Sequence, residues 1–121
     1  MPKILIVEDN EMNMRLFSDL LKSKGYEVLK CLDGKKALSI VQAEHPDLVL
    51  MDIQMPGISG LEVTALIRQT PEVADTKIVA VTAFAMKGDE QKIIDGGCDG
   101  YIAKPIAVAD FLGTVDSFLS K

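Results

Sequence analysis

A doubly wound α/β fold, with parallel strands covered by helices on both faces, is predicted by three features of this sequence. Short apolar runs alternate with longer amphipathic stretches along the whole chain. Three of the runs, Ile4-Leu5-Ile6-Val7, Leu48-Val49-Leu50-Met51 and Ile78-Val79-Ala80-Val81, are continuously apolar, as strands buried on both faces of a parallel sheet are. Polar residues gather where these runs end, the edge at which such sheets build their sites.

The first strand, Ile4–Val7, ends at Glu8-Asp9. Asn10 then caps a first helix with Glu11 in its first turn, Lys22 and Lys24 near its end and Gly25 just past it. A second strand is expected over Tyr26–Leu29 and a third over Leu48–Met51. Ser59 and Glu62 form a capping box that opens the third helix. After the fourth strand, Ile78–Val81, the stretch from Met86 to Gly97 is the weakest helix, with Gly88 near its start and Gly96-Gly97 at its end. Tyr101-Ile102 is the fifth strand. The last helix has the clearest stripe: Val108, Phe111, Leu112, Val115, Phe118 and Leu119 recur at helical spacing.

The 121 residues allow one domain, and 48% hydrophobic with 26% charged residues is a globular balance. A chain of this size buries enough surface to fold without a disulfide or metal staple. The net charge of −5 argues against a nucleic-acid groove and against anionic lipid. No apolar run approaches the ~20 residues of a membrane span. Glu8 and Asp9 end the first run too early for a signal peptide. The reading is an acidic, soluble, cytoplasmic domain. Cys31 and Cys98 lack metal or redox spacing and read as buried, reduced thiols. His45, beside Pro46, falls in a connection before a strand and receives no role.

Four strand ends deliver Glu8-Asp9, Asp52, Thr82 and Lys104-Pro105 to one edge of the sheet. Any one of these alone reads as a turn or cap residue. Together they form a site. Three carboxylates repel one another and need a cation; without histidine or thiolate the donors suit a hard ion, and Mg²⁺ fits a site that shares a phosphate. With that ion and Lys104 the pocket is charge-balanced and ready for an anion. Asp52, on the innermost strand, is the nucleophile; Glu8 and Asp9 hold the metal, and Thr82 and Lys104 contact phosphoryl oxygens.

The segments Val7-Glu8-Asp9-Asn10, Leu50 to Pro56, Val81-Thr82-Ala83 and Ala103-Lys104-Pro105 resemble the receiver domains of two-component response regulators. The resemblance spans residues 1–121 as a single receiver domain with no output domain. It implies a five-stranded, flavodoxin-like sheet in the order 2-1-3-4-5. It also implies Asp52 as phosphoacceptor, Asp9 as direct magnesium ligand, Glu8 as ligand through water, and the Gln54 backbone carbonyl completing the metal site with Asp52. The resemblance also allows Mn²⁺ in place of Mg²⁺. Thr82 becomes the switch hydroxyl, Lys104 the phosphate-binding lysine, Tyr101 the aromatic whose rotamer reports phosphorylation, and Lys104-Pro105 a cis peptide.

The implied activity is that of a signalling phosphoacceptor, not an enzyme, which takes its phosphoryl group from a sensor histidine kinase or a phosphotransfer protein. Its protein targets dock on the face formed by helix 4, strand 5 and helix 5. A closer likeness to the family's single-domain cell-cycle regulators is carried by Asn10 with Asn13, Ile53 to Pro56, the run Thr82 to Glu90, and Gly96-Gly97-Cys98. It implies a role in cell-cycle or cell-division control. A motility adaptor or phosphorelay intermediate would share the same chemistry. A phosphatase with an aspartyl phosphate would place an acid where Gln54 stands, and a flavin module would need a phosphate loop where Glu8-Asp9 repel phosphate.

Overall fold

Burial on both faces of the central strands organises the molecule. The computed structural model describes residues 2–83 and 89–120. Its strands are β1 (Lys3–Val7), β2 (Glu27–Cys31), β3 (Leu48–Asp52), β4 (Ile78–Thr82) and β5 (Gly100–Ala103). Its helices are α1 (Glu11–Ser23), α2 (Ala37–Glu44), α3 (Gly60–Arg68), α4 (Asp89–Asp95) and α5 (Val108–Leu119). All strand pairs are parallel, in the order β2-β1-β3-β4-β5, so the predicted doubly wound sheet forms. Every residue of β3 and β4 is buried, as their continuous apolar runs require.

Alternation along the strands divides the core in two. Leu5, Val7, Val49, Met51 and Ala80 pack with Val41 of α2, Val63 and Ile67 of α3 and Ile93 of α4. Ile4, Ile6, Leu48, Leu50, Val79, Val81 and Ile102 pack with Phe17 and Leu21 of α1 and Phe111 and Val115 of α5. Phe17 stacks on Phe111 with ring centroids 5.2 Å apart, tying α1 to α5.

The caps form where the sequence places them. Asn10 accepts from the Asn13 N–H, and Ser59 and Glu62 close the reciprocal capping box of α3. Cys31 and Cys98 are buried and free.

Several boundaries differ from the sequence reading. β2 starts at Glu27 because Tyr26 completes the end of α1: the Tyr26 N–H donates to Leu21 O and the Gly25 N–H to Lys22 O, with Gly25 at φ 88°. The Tyr26 hydroxyl donates to Asp116 of α5. A 3-10 turn, Gly34–Lys36, precedes α2, and His45 ends α2 in a left-handed conformation. Val108 stays half-exposed, because the buried stripe of α5 begins only at Phe111. The Met86–Gly97 stretch contains α4; Met86, Lys87 and Gly88 lie outside the described residues, as do Phe84 and Ala85 of the motif run. Among the described residues no helix is long and apolar enough to cross a membrane.

One core residue breaks the polar accounting. Ser18 is fully buried on α1, and its Oγ has no hydrogen-bond partner among the described residues. Ser18→Ala removes an unsatisfied hydroxyl and improves helix propensity, so it should raise stability by about 1 kcal/mol. A urea melt checks this, and a comparable loss would reveal a hidden partner for the hydroxyl.

Candidate functional site

The site forms where four strands stop. The Glu8 N–H still donates to Cys31 O at 3.0 Å, extending the ladder, while Asn10 already caps α1. Glu8 and Asp9 are thus held between a strand end and a helix start. Glu8 is buried at 1% exposure and Asp9 is exposed. Asp52 closes β3 at 3% exposure, and its Oδ1 accepts the Gln54 N–H at 3.1 Å. Carboxylate oxygens of Glu8, Asp9 and Asp52 lie within 4.8 Å of one another.

Lys104 follows β5, and its N–H donates to Thr82 O at 2.7 Å, which brings the lysine backbone beside the end of β4. Its Nζ reaches back to Glu8 Oε1 at 2.9 Å and more distantly to Asp52 Oδ1 at 3.5 Å. The Lys104–Pro105 peptide bond is cis. Thr82 is buried at the same sheet edge, opposite Ala103. Tyr101, half-buried, pairs with Ala80, so it is the diagonal neighbour of Thr82 across β4 and β5. Gln54 is exposed just beyond Asp52.

The floor is apolar: Ile6, Phe17, Leu50 and Val81 lie beneath Glu8 and Asp52. Burial therefore dominates the electrostatics. It pushes the Asp52 carboxyl up to about 8, with the facing Glu8 adding to the rise and the Gln54 N–H and Lys104 opposing it. Burial also works to raise Glu8, but the Asp52 carboxyl, Lys104 and the Asn10 backbone outweigh it and hold Glu8 below its ordinary value. The balance disfavours ionisation of Asp52 and favours the Glu8 carboxylate.

A cation fits here on the chemistry of the donors. Glu8 Oε2 is buried and meets no donor among the described residues while Asp52 is ionised. A hard cation would satisfy it, and the three clustered carboxylate oxygens suit one.

Gly60 is a positioning residue that the sequence reading passed over. A Cβ there would lie 2.2 Å from Asp52 O and 2.9 Å from Asp52 C, so only glycine lets α3 start against the end of β3. The available signal was a glycine at the first helical position inside a capping box, where it costs helix stability without local reason.

The response regulator receiver domain family matches residues 4–116. A relative from Brucella ovis, "Polar-differentiation response regulator DivK", is 52% identical over 116 residues, covering 96% of this chain and 94% of its own. A response regulator structure from Chloroflexus aurantiacus superimposes with a TM-score of 0.93 at 27% identity, covering 100% of both chains. The receiver domain of the sensor histidine kinase PA1611 from Pseudomonas aeruginosa, solved with a magnesium ion coordinated in its active site cleft, superimposes with a TM-score of 0.91. It is 31% identical, covering 99% of this chain and 98% of that one.

Proposed function

The chain belongs to the response regulator receiver domain family, and from that premise we propose that it is a signalling protein that accepts a phosphoryl group on Asp52. The donor is a phosphohistidine of a sensor histidine kinase or a phosphotransfer protein. The observation that carries the reading is the cluster of Glu8, Asp9 and Asp52 with Lys104 hydrogen-bonded into it.

Asp52 Oδ1 is engaged by the Gln54 N–H and Lys104, which leaves Oδ2 as the attacking oxygen. A carboxylate lone pair forms the new O–P bond as the P–N bond of phosphohistidine breaks, and the imidazole nitrogen keeps the electron pair of that bond. Glu8, Asp9, Asp52 and the Gln54 carbonyl are the residues that would hold Mg²⁺. Held there, Mg²⁺ would favour the ionised Asp52 carboxylate and offset the charge of the carboxylates and the phosphoryl oxygens. Lys104 transfers its hydrogen bond from Glu8 to a phosphoryl oxygen, and the Thr82 hydroxyl donates to another.

Signalling then depends on Thr82 and Tyr101. A hydroxyl drawn toward the phosphoryl group vacates space that the diagonal Tyr101 ring can fill, reshaping the face made by α4, β5 and α5. One or two charge-assisted hydrogen bonds suffice to shift such an equilibrium. The likeness to the Brucella relative, at 52% identity, supports a role in cell-cycle or cell-division control over a motility role. The Vibrio cholerae chemotaxis protein CheY4, by comparison, is 28% identical.

Incubation with acetyl phosphate and Mg²⁺ should add one phosphoryl group on the peptide containing Asp52, read by mass spectrometry; labelling at another residue would overturn the assignment. In a second measurement, beryllofluoride, a phosphoryl mimic, should change the affinity of wild type for a histidine kinase domain. Thr82→Ala should respond about tenfold less if one charge-assisted hydrogen bond carries the coupling. An equal response in both proteins would remove the Thr82–Tyr101 coupling and leave Asp52 as acceptor.

A further inference from the structure

Arg68, the last residue of α3, reaches two other connections at the sheet edge away from Asp52. Its Nε donates to Gly97 O at 2.9 Å, Nη1 to Ala74 O at 2.8 Å and to Thr76 O at 2.6 Å, and Nη2 to Asp99 Oδ2 at 3.0 Å. About four of the five guanidinium N–H groups are thereby used. Asp99 is itself fixed to β4: its Oδ2 accepts the Ile78 N–H at 2.8 Å and its own N–H donates to Ile78 O at 2.7 Å.

The turn that Arg68 grips is the end of α4. The Gly97 N–H donates to Ile94 O and the Cys98 N–H to Ile93 O, with Gly97 at φ 106°, the paired bonds of a glycine-terminated helix. Gly97 packs tightly, since a Cβ there would lie 3.1 Å from Arg68 Cγ and 3.3 Å from Thr64 Cγ2. Among its described side chains α4 is otherwise lightly held. Ile93 is buried, while Gln91, Lys92, Ile94 and Asp95 are exposed. Beneath the turn lies the Cys98 thiol, 4% exposed and 3.8 Å from Thr64 Oγ1.

We propose that Arg68 latches a local opening unit: α4 and the turn through Asp99 detach together from α3 while the rest of the sheet stays folded, and the guanidinium sets how often they do so. A single buried side chain among those described in α4 and a concentrated set of hydrogen bonds at one end are the makings of such a unit. The latch deepens the proposed function, because α4 forms part of the proposed signalling face. The opening itself requires nothing of Asp52.

Thiol labelling tests the latch in the full chain. A disulfide reagent reaches Cys98 when the unit opens, whereas Cys31, buried at the end of β2 and outside the unit, is the reference thiol. Arg68→Met keeps the aliphatic stem and removes the donors. It should speed Cys98 labelling by about tenfold or more relative to Cys31, with the modified peptide identified by mass spectrometry. Equal acceleration at both thiols, or none at Cys98, would overturn the proposal. Asp99→Asn, which keeps an acceptor for the Ile78 N–H, covers the case in which Arg68→Met does not fold. It should accelerate Cys98 selectively but less, and wild-type labelling there would equally overturn the latch. Asp52→Asn should label at Cys98 as wild type does, so failure of the phosphoacceptor reading and failure of the latch remain distinguishable.

Discussion

Asp52→Asn should abolish acid-labile phosphorylation of this chain by acetyl phosphate or by a histidine kinase in the presence of Mg²⁺. Asparagine is nearly isosteric and keeps an oxygen to accept the Gln54 N–H, so the end of β3 retains its geometry. An amide lacks the carboxylate's nucleophilic oxygen, and labelling should fall below about a thousandth of the wild-type rate. Intact-mass measurement reads the loss directly, with circular dichroism to show that the variant is folded. Undiminished labelling would move the acceptor to another residue.

The same substitution should change how metal-free stability depends on pH. Asp52 keeps its proton up to about 8 in the folded chain, against an ordinary value of 3.8. Below the ordinary value both folded and unfolded chains hold that proton, and the contribution to stability is fully present. Between the two values only the folded chain holds it, so stability is lost as pH rises, by at most about 1.4 kcal/mol per pH unit for one proton. Above the folded value the slope vanishes. Glu8, held below its ordinary value, runs the other way, and its contribution is lost as pH falls through its folded value.

Urea melts without metal should therefore show wild type weakening between about pH 4 and pH 8 while Asp52→Asn weakens less, with the variant the more stable of the two at pH 8. Adding Mg²⁺ should stabilise wild type most at the high end of this range, where no proton competes for Asp52. Asp9→Asn should lose that stabilisation. If Mg²⁺ stabilised Asp9→Asn as strongly as wild type, the cation would have to bind elsewhere.

Much of this molecule is legible in the chain order because the causes are local. Apolar runs of four residues mark β1, β3 and β4, and side chains within three residues of a helix start, Asn10 and the Ser59–Glu62 pair, mark α1 and α3. The strand-end positions of Glu8, Asp9, Asp52, Thr82 and Lys104 follow once the strands are known, since a parallel sheet aligns its carboxyl ends. What each group does to its neighbours was not legible. Lys104 lies closer to Glu8 than to Asp52, and burial over an apolar floor from β1, α1, β3 and β4 pushes the Asp52 carboxyl up. The need for glycine at position 60 and the grip of Arg68 on Gly97 and Asp99 likewise appear only when distant segments meet. Helix caps and strand patterns act over a few residues, but desolvation, steric exclusion and multidentate hydrogen bonding depend on the three-dimensional distances between atoms, which sequence separation does not specify.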